Sequence, residues 1–258
     1  MTIMEKLYML TKMTWKEVEE RLKESDTVLV PIGSMEQHGP ALPLDNDHFI
    51  ARRFAEKVVE RLWETIKLVV APTISIGYSE HHMDFKGTIT LRESTLVDVI
   101  VDVCRSLAAH GFRRIVLING HGGNQSAIRN ALNLFREGME SQVFAINWWD
   151  MAKDKIREVG SRPFFHACDN ETSVAWYLGQ RVLADKRVDE PGRKIVPGYI
   201  EPDMAGDAFT VSGVYSMKDI TDSGVVGYST KATEEKGKQI VDVAVERMVD
   251  FILRILEM

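Results

Sequence analysis

The sequence predicts an α/β protein built on a mostly parallel sheet with helices on both faces. Short apolar runs alternate along the chain with longer segments of helical periodicity, the order that parallel strands joined by helical crossovers require. The first run, Thr27 to Ile32, is apolar without a break, as a strand covered on both faces is. At 258 residues and 45% hydrophobic, the chain can bury a sizeable core. With no internal repeat and no low-complexity linker, one domain over residues 1–258 is expected.

Taken in order, Thr14-Trp15-Lys16-Glu17 forms a capping box, a Thr N-cap with Glu three residues on, opening a helix to about Glu24. After the strand Thr27–Ile32, a helix is expected from about Asp47 to Trp63, with Phe49, Ile50, Phe54, Val58 and Leu62 on its apolar face. Leu68 to Ala71 reads as a strand ended by Pro72. Thr95 to His110 is strongly amphipathic and closes at Gly111, a C-cap glycine. A strand from Arg114 to Ile118 leads into the turn Gly120-His121-Gly122-Gly123-Asn124, then a helix from about Asn124 to Glu137. A strand at Val143–Asn147, a helix near Thr172–Gly179 and a long helix from Thr233 to about Leu256 complete the set. The stretch Asp185–Ser223, rich in Gly, Pro and Asp, reads as long loops or a small β element.

Composition excludes several classes. A formal net charge of -6 and the lack of any basic run argue against nucleic acid as a partner. No apolar stretch approaches the roughly 18 residues of a membrane span, and the start of the chain lacks signal-peptide architecture. A cytoplasmic protein with no membrane partner is expected. Two cysteines, Cys104 and Cys168, make no disulfide framework, and Cys104 reads as a small buried hydrophobe.

In such sheets ligands bind beyond the carboxyl ends of the strands, and there the polar clusters fall. Gly33-Ser34-Met35-Glu36-Gln37-His38-Gly39 follows the first strand, with Leu44-Asp45-Asn46-Asp47-His48 shortly after. His121 lies in the glycine turn, and a later loop carries His166-Ala167-Cys168-Asp169-Asn170-Glu171-Thr172. Glu36 and His38, two apart, project to the same side of an extended segment. A carboxylate and an imidazole there suit zinc or manganese. Asp47 could bridge two ions, though spacing alone does not choose it over Asp45, and either could instead cap a helix. The glycines around His121 leave its ring unobstructed, and the helix opening there could hold a substrate oxyanion. The glycine turn could also cradle a phosphate, but the missing Lys and the lack of G-x-G-x-x-G order argue against it, and the absence of G-x-S-x-G argues against a serine hydrolase.

These segments resemble the creatininase, or creatinine amidohydrolase, family. The resemblance runs through Gly33-Ser34-Met35-Glu36-Gln37-His38-Gly39-Pro40, Leu42-Pro43, Asn46-Asp47, Phe85-Lys86-Gly87-Thr88 and Asn119-Gly120-His121-Gly122-Gly123-Asn124. It continues in His166, Glu171-Thr172-Ser173, Gly224-Val225-Val226-Gly227 and Ala232-Thr233-Glu234-Glu235-Lys236-Gly237, nearly the whole chain in order. It implies a three-layer α/β/α sandwich, two divalent metal ions (Zn, Mn or Fe), hydrolysis of a cyclic or linear amide, and a homo-oligomer, often a hexamer. By resemblance the metal ligands fall on Glu36, His38, Asp47 as the bridge, and His121. The fifth ligand of creatininase proper, a Glu two residues after the turn histidine, is Gly123 here, so creatinine is not the expected substrate. In the wider family the Glu before Thr-Ser lies at the site, which points to Glu171 as ligand and catalytic group. His166 matches a family histidine suited to proton transfer.

This chain departs at His166-Ala167-Cys168-Asp169, where the family has His-Ala-Gly-Glu, and at Phe85-Lys86-Gly87-Thr88, where it has Phe-Pro-Gly-Thr. Cys168 is thus either a contact residue or a replacement of glycine. His82, Asn119 and Trp149 are the expected substrate-binding residues for a small molecule. Asn119 and Asn124 could also orient the ligands, and Trp149 could equally be core. The expected function is a metal-dependent amidohydrolase. The alternatives are hydrolysis of a C–C bond in a cyclic ketone such as a keto-inositol, which Asp45, His82 and Asp169 would suit, and a non-enzymatic metal- or ligand-binding protein.

Overall fold

The structure, a computed structural model, describes residues 8–135, 140–204, 211 and 213–258. Its centre is a parallel sheet of β1 (Thr27–Ile32), β2 (Val69–Val70), β3 (Arg114–Asn119) and β4 (Gln142–Asn147), in the order β2-β1-β3-β4. Register brings Ile32 opposite Asn119 and Asn119 opposite Asn147. Three strands therefore end level, and the residues that follow them leave from one edge.

Alternation along the strands assigns the two faces. Leu29, Val116, Ile118 and Ile146 enter one core with Ile50, Phe54 and Val58 of α2 (Asn46–Leu62), Val174 and Ala175 of α7 (Asp169–Tyr177), and Ile240, Ala244 and Met248 of α9 (Glu234–Leu256). Val28, Val30, Ile115 and Leu117 enter the other, with Leu96, Ile100 and Cys104 of α3 (Glu93–Ala109) and Ala127 and Ile128 of α4 (Gln125–Leu134). Val18 and Leu22 of α1 (Trp15–Glu24) pack against this second core. The result is the expected three-layer α/β/α sandwich. Cys104 is buried there, and burial pushes its thiol up to about 12.

Local signals set most boundaries. The capping box at α1 forms in full: Thr14 accepts from the Glu17 N–H, and Glu17 accepts from the Thr14 N–H at 2.6 Å. The differences are instructive. α7 begins at Asp169, ahead of the expected Thr172, because Asp169 through Ala175 are all buried and show no polar face to read. α4 ends at Leu134, and the expected end at Glu137 lies outside the described residues. In Asp185–Ser223, the described residues are mainly loop. They hold the short helix α8 (Met217–Ile220) and strand β5 (Asp189–Glu190), which pairs antiparallel with β6 (Gly227–Tyr228) beyond that stretch. After β4 come α5 (Trp148–Met151) and α6 (Lys153–Val159). Among the described residues, no helix is long and apolar enough to cross a membrane.

Two glycines at the strand exits place α2. A Cβ on Gly33, just after β1, would lie 2.2 Å from the His48 nitrogen, and one on Gly120, just after β3, would lie 2.2 Å from the Asp47 carbonyl oxygen. The first turn of α2 thus rests directly on the ends of the two central strands. Gly120→Ala should destabilise the fold by about 1–3 kcal/mol through overpacking against backbone. Gly122→Ala, whose Cβ would meet nothing within 4 Å, should not. Urea midpoints of the two variants check this.

Candidate metal centre

The side chains gathered at the level edge of the sheet come from separate segments of the chain. The segment after β1 is held open by backbone bonds, Glu36 N–H to Leu44 O at 3.0 Å and Ile89 N–H to Met35 O at 2.9 Å. Glu36 and His38 turn inward to the same side. Asp47 stands in the first turn of α2, His121 in the glycine turn after β3, and Glu171 in the first turn of α7. All five are buried.

Asp47 lies between the two histidines. Its Oδ1 is 2.9 Å from His38 Nε2, and its Oδ2 is 3.1 Å from His121 Nδ1. His38 Nε2 is also 3.3 Å from Glu171 Oε1, and His121 Nε2 is 3.2 Å from Glu36 Oε2. The remaining nitrogen of His38, Nδ1, is 3.1 Å from the Glu36 carbonyl, and His121 Nε2 is 3.0 Å from the Tyr78 carbonyl. A ring N–H held by a main-chain carbonyl fixes the tautomer and turns the other nitrogen's lone pair inward, as in metal-ligating histidines. Glu36 Oε1 and Asp47 Oδ2 are buried without a hydrogen-bond partner. Orphaned carboxylate oxygens beside inward lone pairs are a donor set that fits a divalent ion such as zinc or manganese.

Among the described residues, three groups bring metal-capable atoms within 4.8 Å of one another: Glu36, Asp47 and His121; His38, His166 and Glu171; and Glu36, His82 and His166. The chain supplies supports. Ser79 donates to Glu36 Oε2 at 2.5 Å and also contacts Ser34. The Ala167 N–H donates to Glu171 Oε2 at 2.6 Å, and Asn46 donates to Glu171 Oε1 at 3.4 Å.

Electrostatics follow from that packing. Burial, the largest influence on His38, pushes it down, but Asp47 and Glu171 outweigh it and raise it well above 6.5. His121 is likewise pushed down by burial, yet raised well above its ordinary value by Glu36 and Asp47. Burial pushes Asp47 and Glu36 up, but His38 and His121 hold Asp47 low, and His121 holds Glu36 low. His166 is lowered by burial and by His38.

A cavity of about 290 Å³ opens over these groups. Glu36, Asp47, His82, His121, His166 and Glu171 line its polar side, and Trp148, Trp149, Phe164, Phe165 and Met204 its apolar side. Trp149 lines the cavity and also packs edge-on against Trp148, with ring centroids 5.9 Å apart.

The remaining sequence candidates fall outside the cavity lining. Asn119 is fully buried and does not line the cavity. Its amide donates to the His121 carbonyl at 2.8 Å and to Asn147 at 2.9 Å, and its oxygen accepts from the His121 N–H at 3.1 Å, so it holds the His121 turn. Asp45 accepts from Gln180 at 2.9 Å, away from the cluster. Asp169 is buried in an ion pair with Lys236 at 2.8 Å and also accepts from the Ser161 N–H. Cys168 does not line the cavity, and burial, with Glu171 and Asp169 behind it, pushes its thiol up to about 12.

His81 and Ser79 were not foreseen. His81 stacks on His121 with centroids 5.7 Å apart, and burial and then His121 push it down to about 4. The paired histidines after Ser79 were the one available signal. Nothing in the spacing marks Ser79 itself.

These shifts determine how pH acts. Raised histidines stabilise the fold below about pH 6.5, and that contribution is lost as pH climbs through their folded values. Depressed carboxylates stabilise it above about pH 4, and that contribution is lost on acidification. His81, His82 and His166, lowered by burial, oppose folding below about pH 6.5, so chelator-treated protein should melt highest near pH 6.5 and lower near pH 8.5. A divalent ion competes with the protons on His38 and His121, so the Tm increment from added Zn²⁺ should grow over the same rise. Melts with and without zinc at both ends of that range check this.

The sequence profile of the creatininase family, creatinine amidohydrolase, matches residues 11–252. The chain is 31% identical to 3-dehydro-scyllo-inosose hydrolase of Thermotoga maritima, over 95% of this chain and 82% of that one. It is 33% identical to mycofactocin precursor peptide peptidase of Mycobacterium tuberculosis, over 89% of this chain and 86% of that one. A solved creatininase in a Mn form is 28% identical, with a TM-score of 0.77 over 95% of this chain and 96% of that one. A profile match of that extent, joined to the same fold and to buried groups suited to a divalent ion, places this chain in the creatininase family of hydrolases.

Proposed function

We propose that the protein is an amidohydrolase that uses two divalent ions, Zn, Mn or Fe, to open a small cyclic or linear amide. The observation that carries this is Asp47, a buried carboxylate whose two oxygens face His38 and His121 from opposite ends. Glu36, Asp47 and His121 would hold one ion, and His38, Asp47 and Glu171 the other. When bound, such a pair lowers the pKa of a water and polarises the carbonyl it attacks.

The chain's own groups do the rest. His166 Nδ1 lies 3.8 Å from Glu36 Oε1, at the polar wall of the cavity. There it takes the proton of the attacking water and returns it to the departing nitrogen as the C–N bond breaks. Trp148, Trp149 and Phe164 exclude bulk water and give the substrate an apolar seat. At Gly123, a Cβ would lie 2.4 Å from both His121 Nε2 and the Tyr78 carbonyl oxygen, so the glutamate of creatininase proper has no room there. Glu171 takes its part from the opposite side, and creatinine is not the substrate.

A second reading is favoured by the 31% identity to 3-dehydro-scyllo-inosose hydrolase. The same attack on a ketone in a small ring would break a C–C bond, with the proton delivered to carbon. Of the groups expected to suit a polyhydroxylated ring, only His82 lines the cavity.

Zinc- or manganese-loaded protein should hydrolyse one or more of a panel of lactams, formamides and dipeptide amides. Turnover confined to cyclic ketones would replace the first reading by the second, and turnover of neither class would reject both. Elemental analysis should find two ions per chain in the parent and fewer in Asp47→Ala. His166→Ala should retain the ions and lose about 10²- to 10⁴-fold in kcat. Full turnover in that variant would remove His166 from the mechanism.

A further inference from the structure

Between the candidate ligands Glu36 and His38 stands Gln37, which is 5% exposed, does not line the cavity, and plays no part in the mechanism above. Its amide orientation is unambiguous. The Gly39 N–H donates to Gln37 Oε1 at 2.9 Å, so the oxygen lies on that side. Nε2 lies 3.2 Å from the Gly224 carbonyl, which can only accept. That same Nε2 is 3.0 Å from His82 Nδ1. Because the amide nitrogen carries only protons, His82 Nδ1 must be the bare, accepting nitrogen, and the ring proton of neutral His82 sits on Nε2.

The main chain of Gln37 acts in the opposite sense on a second ring. Its carbonyl lies 2.7 Å from His166 Nε2 and can only accept, which places the proton of His166 on Nε2 and bares Nδ1. The two rings lie against each other with their planes inclined by 58° and centroids 4.5 Å apart. One therefore presents an N–H at its inner nitrogen and the other a lone pair.

We infer that Gln37 is a positioning residue that fixes the tautomers of His82 and His166 in opposite roles. His82 is a permanent Nε2–H donor for an acceptor oxygen of the substrate, and His166 is an acceptor at Nδ1. The inference has two consequences. Glu36, His82 and His166 come as close together as a metal site would, yet His82 Nε2 carries a proton and has no lone pair to offer, so this group is a donor–acceptor pair and not a third metal position. His82 Nε2 is 3.3 Å from Glu36 Oε1, but that oxygen has no hydrogen-bond partner, so the N–H is aimed off it and stays open to the cavity. The pocket thus selects a substrate with a carbonyl or hydroxyl oxygen facing His82 and rejects one that presents a donor there. The tautomers rest on hydrogen-bond geometry alone. Their use on a substrate rests on the hydrolase reading.

The test is imidazole ¹⁵N NMR on the zinc-loaded protein, which needs no substrate. In the parent, His82 should be protonated at Nε2 and bare, free of zinc, at Nδ1, and His166 should carry its proton on Nε2. Gln37→Glu sets an acceptor oxygen against His82 Nδ1. The His82 proton should then move to Nδ1, while His166, held by the main-chain carbonyl of residue 37, should not change. With a substrate found by the amide and ketone panel, this variant should lose about 100-fold in kcat, as removal of one oxyanion donor does, with KM and zinc content near the parent's. A parent spectrum with His82 protonated at Nδ1, or with zinc on His82 Nε2, overturns the inference whatever the panel yields and whether or not the variant folds. So does a Gln37→Glu spectrum identical to the parent's. If the tautomers hold but the panel is inert, the hydrolase reading fails and the positioning role stands.

Discussion

The arrangement hangs on one buried carboxylate. Asp47 splits its two oxygens between His38 and His121, which arrive from the exits of different strands, and it can do so only because α2 begins on top of those strand ends. Three buried carboxylates, Glu36, Asp47 and Glu171, crowd the same few ångströms. Buried like charges are tolerated only when positive charge is placed among them. In the metal-free protein the raised histidines supply that charge as protons, and divalent ions can take over the same duty. The site is therefore electrostatically incomplete without cations.

That requirement explains much of the scaffold around it. Asn119 uses its amide to fix the His121 turn, Ser79 holds one oxygen of Glu36, and the Ala167 N–H holds one oxygen of Glu171. The Ser79 support leaves the other oxygen of Glu36 without a hydrogen-bond partner. The cavity wall opposite is aromatic and apolar, which keeps the dielectric low where a carbonyl would be polarised. Loss of the creatininase glutamate at Gly123 fits this picture, since His121 and the Tyr78 carbonyl occupy the space its side chain would need.

The layered fold and the strand-exit positions of Glu36, His38 and His121 were legible because strand exits are marked by abrupt changes from apolar runs to Gly, His and Asp. α7 was legible only in its second half, since a helix buried all round carries no periodicity. The choice between Asp45 and Asp47 could not be read from spacing; it depends on which way one helical turn faces, and Gln180 claims Asp45. Asn119 could be read either as a substrate contact or as a support of the ligands, because a strand-end amide looks the same in sequence whether it faces a cavity or a neighbouring loop; here it engages the His121 turn. Ser79, His81 and Gln37 act through long-range neighbours, and no local pattern encodes those.

Anomalous diffraction from zinc-loaded crystals, collected on both sides of the zinc edge, tests the central claim most directly. Two peaks are expected, flanking the Asp47 carboxylate, one against Glu36 and His121 and the other against His38 and Glu171. A single peak, or a zinc ion held by Glu36, His82 and His166 in place of the Asp47 pair, would contradict the account.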